Sequence, residues 1–66
     1  MKMNILMREM DGTYFIPEGV FYDRGALREY LRYEYDYELK GYQVDFDIEI
    51  KGMIQHFCIK RATLYE

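Results

Sequence analysis

Sixty-six residues make one small domain, 1–66, half of it hydrophobic and 32% charged, with a net charge of −3. That composition excludes low-hydrophobicity disorder, and the negative balance argues against a general nucleic-acid binder. A chain this short buries only about 60% of its unfolded surface, so tight packing or a partner must supply the margin. The one cysteine, Cys58, cannot form an internal disulfide, which fits a reducing cytoplasm (that of a host cell for a viral protein). No apolar run approaches the roughly 20 residues of a membrane span. Eight tyrosines and no tryptophan suit a thin sheet or a contact surface, because a tyrosine buries its ring and keeps its hydroxyl wet.

Residues 2–10 and 13–21 flank Asp11-Gly12, a strong hairpin signal, since a type I′ turn needs positive φ at both positions. Pairing Met10 with Thr13 sets Met7 opposite Ile16 and Glu9 opposite Tyr14. Pro17 has no N–H for a ladder, so the second strand is an edge or breaks there, and Pro17-Glu18-Gly19 reads as a turn or bulge.

Asp23 is a good N-cap, and a helix from about 24 to 39 follows. Leu27, Tyr30 and Leu31 share its apolar face, with Ala26 and Tyr33 beside them. Arg28, Glu29, Arg32 and Asp36 lie opposite. Lys40-Gly41 has the chemistry of a helix end. A rival pattern overlaps: Tyr33, Tyr35, Tyr37 and Leu39 alternate with Glu34, Asp36, Glu38 and Lys40, as in a strand. Pairing that strand with the next would set Asp36 against Asp45 and Glu34 against Asp47, and like charges so placed destabilise a sheet. The helix is therefore preferred, with fraying after Tyr35.

From Tyr42 to Lys51 the chain alternates without a fault. Tyr42, Val44, Phe46, Ile48 and Ile50 take one face; Gln43, Asp45, Asp47, Glu49 and Lys51 take the other. Lys51-Gly52 turns into a last strand over 53–61, which Ala62 to Glu66 can extend. Pairing Ile50 with Met53 sets Phe46 against Phe57, Val44 against Ile59, Glu49 against Ile54, Asp47 against His56 and Asp45 against Cys58. The expected fold is α+β: ββαββ, a small antiparallel sheet of two hairpins with one helix packed on one face.

Charge is unevenly spread. Residues 33–49 hold Glu34, Asp36, Glu38, Asp45, Asp47 and Glu49 against Lys40 alone, a net of −5, while the remainder nets +2. Along one strand face Asp45, Asp47 and Glu49 stand roughly 6.7 Å apart. That pitch is of the order of the phosphate spacing in a nucleic-acid strand, so the row could imitate a phosphate backbone and occupy a basic groove. A solvated sheet face that discourages edge pairing uses the same pattern. The six acids are the candidate partner-binding residues. His56 opposite Asp47 and Cys58 opposite Asp45 gather donors of the kind that hold zinc, but there is no CxxC, no HxxH and no second Cys or His, so a surface ion pair beside a half-buried thiol is the expected role. Arg24, Arg28 and Arg32 recur every four residues, as on a solvated helix face.

No phosphate loop or Ser–His–Asp arrangement is present, and no enzyme activity, cofactor or metal is expected. The expected function is that of a small acidic binding protein. It would resemble phage- or mobile-element-encoded inhibitors (anti-CRISPR, anti-restriction or polymerase inhibitors) in mimicking nucleic acid to block a host nucleic-acid-binding protein. The alternatives are an accessory subunit that adds to a partner through an exposed edge strand, and a metal-binding protein. A protein partner or a second copy in a homodimer is expected, with no direct nucleic-acid or membrane contact.

Overall fold

The hairpin that carries the acid row forms in the expected register. In the computed structural model, which describes residues 2–63, strand β3 (Asp45–Ile50) pairs antiparallel with β4 (Met53–Thr63). Phe46 faces Phe57, Asp47 faces His56, Asp45 faces Cys58, and Ile50 faces Met53. Lys51 and Gly52 make the turn with φ of 52° and 80°. β4 runs two residues past its expected end; residues 64–66 lie outside those described. β3 is shorter than the alternation predicts. Tyr42 is 95% exposed and Val44 about half exposed, so the apolar face begins in earnest at Phe46. Val44 still meets its expected partner, accepting a hydrogen bond from the Ile59 N–H at 2.8 Å.

The first hairpin differs by one residue. Strand β1 (Lys2–Met10) pairs with β2 (Tyr14–Phe21), with Met10 opposite Tyr14, Glu9 opposite Phe15 and Arg8 opposite Ile16. Asp11 and Gly12 adopt the expected positive φ, 54° and 67°, and the Thr13 N–H closes the turn on the Met10 carbonyl. Thr13 then sits in the connection rather than in the ladder. A slip of one residue exchanges the two faces of a strand, so this single insertion decides which β2 side chains meet the core. A bulge restores the balance: Leu6 faces Gly19 and Met7 faces Pro17, leaving Glu18 unpaired between them. Gly19 leaves room there: an added Cβ would lie 2.9 Å from the tip of the Phe21 ring, which would have to shift.

The helix α1 (Arg24–Tyr35) starts where expected, with the Asp23 carboxylate accepting from the Ala26 N–H at 2.8 Å. It ends earlier. Asp36 takes the left-handed conformation with φ 53°, and its N–H bonds the Arg32 carbonyl, so the cap is Asp36 and not Lys40-Gly41. Residues 36–40 are neither helix nor strand. Two side chains of that segment stabilise the early end. Tyr37 stacks on Phe46, with centroids 4.9 Å apart and planes at 15°, and Leu39 is buried in the core. Tyr33, expected beside the apolar face, is 89% exposed; Tyr35 packs inward instead.

The sheet order is β2-β1-β4-β3, wholly antiparallel, with β1 and β4 central. The fold is α+β, ββαββ, and α1 covers one face. Leu6, Leu27, Leu31, Leu39, Phe46, Ile48, Phe57 and Ile59 form the core between them. Among the described residues no helix is long and apolar enough to cross a membrane.

Candidate functional site

Alternation fixes what the other sheet face carries. Even-numbered residues of β1 and β3 point under α1, as Leu6, Phe46 and Ile48 do; odd-numbered ones point away from it. On the helix-free face the ladder therefore reads, from edge to edge, Val20–Ile5–Lys60 in one row and Pro17–Met7–Cys58–Asp45 in the next. Beyond them stand Phe15 with Glu9, His56 with Asp47, and Ile54 with Glu49. Apart from Glu9 the face is apolar on β2 and β1, and it is acidic on β3. Val20 and Ile54 are more than half exposed, and Phe15 is exposed by about a third.

His56 joins two of the acids. Its Nδ1 lies 2.6 Å from Asp47 Oδ1 and its Nε2 lies 3.7 Å from Asp45 Oδ1. The hydrogen bond to Asp47 is the main cause that raises the His56 pKa; the charges of Asp47, Glu9 and Asp45 act in the same sense, against some burial. The Phe15 ring, from β2, meets the imidazole edge-on at 5.9 Å. Burial, and then the charge of Asp45, push the Cys58 thiol up, so Cys58 is a poor nucleophile here. Among the described residues no three His, Cys, Asp or Glu side chains are grouped to hold a metal ion.

A raised folded-state value for His56 has a definite sign. Its contribution to stability is complete below the unfolded value of about 6.5 and is lost as pH rises through the folded value. The site is partly exposed, so the effect is below about 1 kcal/mol. Wild type should therefore lose urea resistance relative to His56→Gln on passing from mildly acidic to mildly alkaline buffer. Parallel curves for the two proteins would show that the imidazole and the acids are uncoupled.

Of the six predicted acids, the structure unites three. Asp45, Asp47 and Glu49 line β3 on the helix-free face. Glu34 lies on α1, Asp36 caps it and Glu38 comes just after it, so these three belong to the layer on the opposite side of the sheet. The acidic region thus splits into a row and a separate helix-end cluster, because α1 stops at Tyr35 and the chain returns over the core.

Two other polar centres escape sequence reading. Glu18, in the bulge, accepts from Tyr30 Oη at 3.0 Å, from Tyr35 Oη at 2.5 Å and from Arg8 Nη1 at 3.3 Å. Burial and the hydrogen bonds to Glu18 raise both tyrosine pKa values. Arg24, expected on a solvated row, donates from Nε to the Gly41 carbonyl at 2.9 Å and from Nη2 to the Gln43 carbonyl at 2.6 Å. Each depends on partners 10 to 19 residues away, and only Pro17-Glu18-Gly19 carried a local signal of irregularity.

No family model, no curated protein and no solved structure matches this chain.

Proposed function

We propose that this chain is a small non-enzymatic binding protein whose helix-free sheet face docks on the basic, nucleic-acid-binding surface of a protein partner. The observation that carries this reading is that the acid row Asp45, Asp47, Glu49 shares one sheet face with the exposed apolar side chains Phe15, Val20 and Ile54. A solubilising surface alone has no use for exposed Phe, Val and Ile beside the carboxylates. A docking face uses both: apolar area supplies affinity, and the carboxylates supply orientation and association rate. Within this reading the protein acts in a cytoplasm as an inhibitor of the phage or mobile-element kind, competing with nucleic acid for a basic groove.

A second reading, edge-strand addition, rests on β3. It is an edge of the sheet and, unlike β2, carries neither proline nor bulge.

Capture from the native host with wild type and with Asp45→Lys/Asp47→Lys as baits separates the two. Both positions are more than half exposed at the side chain, so folding should persist. The double variant should lose the partner, chiefly by slower association, and high salt should reproduce the loss on wild type. Nucleic acid should displace the wild-type protein. Binding at wild-type strength with no salt dependence would favour strand addition along β3.

A further inference from the structure

On the other side of the sheet, where α1 begins, a cleft of about 370 Å³ opens. Lys2 and Asn4 of β1 and Arg61 of β4 form its floor, Asn4 lying directly opposite Arg61. Arg24 stands on the wall. Its two hydrogen bonds to the 41–43 backbone hold the guanidinium in place. Five N–H groups belong to an arginine, so three remain for another partner.

The electrostatics point one way. Among the described residues three cations line the cleft against one acid, Asp23, whose carboxylate caps α1 through the Ala26 N–H. Asn4, 9% exposed, adds an amide that can both donate and accept. At the rim Tyr22 and Tyr42 are 73% and 95% exposed.

We propose that this cleft binds a phosphorylated small molecule of nucleotide size. Arg24, Arg61 and Lys2 would hold the phosphate, Asn4 would donate to or accept from it, and the two tyrosines would flank an aromatic base. Guanidinium forks match the geometry of a phosphate dianion, and the volume falls in the range of small-molecule sites. The site is independent of the acid row, which lies across the sheet.

Calorimetric titration of the whole chain with inorganic phosphate, AMP and adenosine tests it. AMP should bind about tenfold more tightly than phosphate if a tyrosine stacks on the base, and adenosine should bind far more weakly than AMP. Lys2→Glu with Arg61→Glu, both exposed positions, should keep the wild-type melting curve and lower AMP affinity by at least about tenfold, the scale of one lost charge-assisted contact. Asp45→Lys/Asp47→Lys should leave AMP binding unchanged, which separates this site from the docking face. The proposal is overturned if neither phosphate nor AMP binds at low salt, if adenosine binds as well as AMP, or if the Lys2/Arg61 variant binds AMP like wild type. Salt-sensitive self-association that those substitutions abolish, without any phosphate binding, would also overturn it: the cleft would then hold the acid row of a second copy.

Discussion

Phe57→Ala is expected to leave the chain largely unfolded at room temperature. Phe57 is fully buried. It stacks on Phe46 with centroids 5.7 Å apart and planes at 8°, and Tyr35 tilts against it at 5.4 Å. With Tyr37 over Phe46, four rings form one continuous column between sheet and helix end. Removing a ring from a core costs about 3–5 kcal/mol. Domains hold only about 5–15 kcal/mol in total, and short ones lie near the bottom of that range. Far-UV circular dichroism with a thermal scan reads the outcome directly. A cooperative transition at the wild-type temperature would show that the column is not the core. Tyr42→Ala makes the contrast. Alternation alone assigns Tyr42 to the same buried face, but at 95% exposure its loss should change stability by no more than about 0.5 kcal/mol.

Glu18→Ala is the second large effect. It removes the acceptor shared by Tyr30, Tyr35 and Arg8 and strands two hydroxyls against the core. Arg8 Nε is already buried without a partner, so that end of the network has little slack. Hydrogen bonds to a charged group contribute about 1.5–3 kcal/mol each when one partner is deleted. Arg8 is about a third exposed and both tyrosines are only partly buried, so each share falls toward or below the lower figure, and the total should be about 2–4 kcal/mol in a urea titration. Adding Tyr30→Phe and Tyr35→Phe to Glu18→Ala should recover part of the loss, because removing both sides of a buried hydrogen bond costs less than removing one. A triple variant no more stable than Glu18→Ala would place the cost in backbone strain at the bulge instead.

The parts of this fold that sequence made legible share a cause. β3 and β4 are joined by a two-residue turn and alternate strictly, so one pairing satisfies both turn and pattern, and every expected partner from Phe46–Phe57 to Ile50–Met53 is found. In the first hairpin the Asp11-Gly12 turn forms, but the signal does not say whether Thr13 joins the ladder, and the register moved by one. The end of α1 was hidden for a different reason. Lys40-Gly41 has better capping chemistry than Asp36, and only the burial of Leu39 and the stacking of Tyr37 on Phe46, both tertiary, favour the earlier stop. The candidate site was half visible for the same reason. Strand periodicity gave the row of Asp45, Asp47 and Glu49, whereas Glu34, Asp36 and Glu38 were grouped with it only through proximity along the chain.

The Pro17–Glu18 irregularity also makes the sheet one-ended. β2 presents a residue without an N–H and a bulged backbone to solvent, so a further strand finds no regular template on that side. β3, at the far side, is uninterrupted. Two copies joined antiparallel along β3 would give a continuous eight-stranded sheet with a β2 at each end, and growth would stop there. The same irregularity that seats Glu18 beneath the helix would thus disfavour growth of such an assembly beyond two copies, because repeated strand addition would need β2 as its second edge.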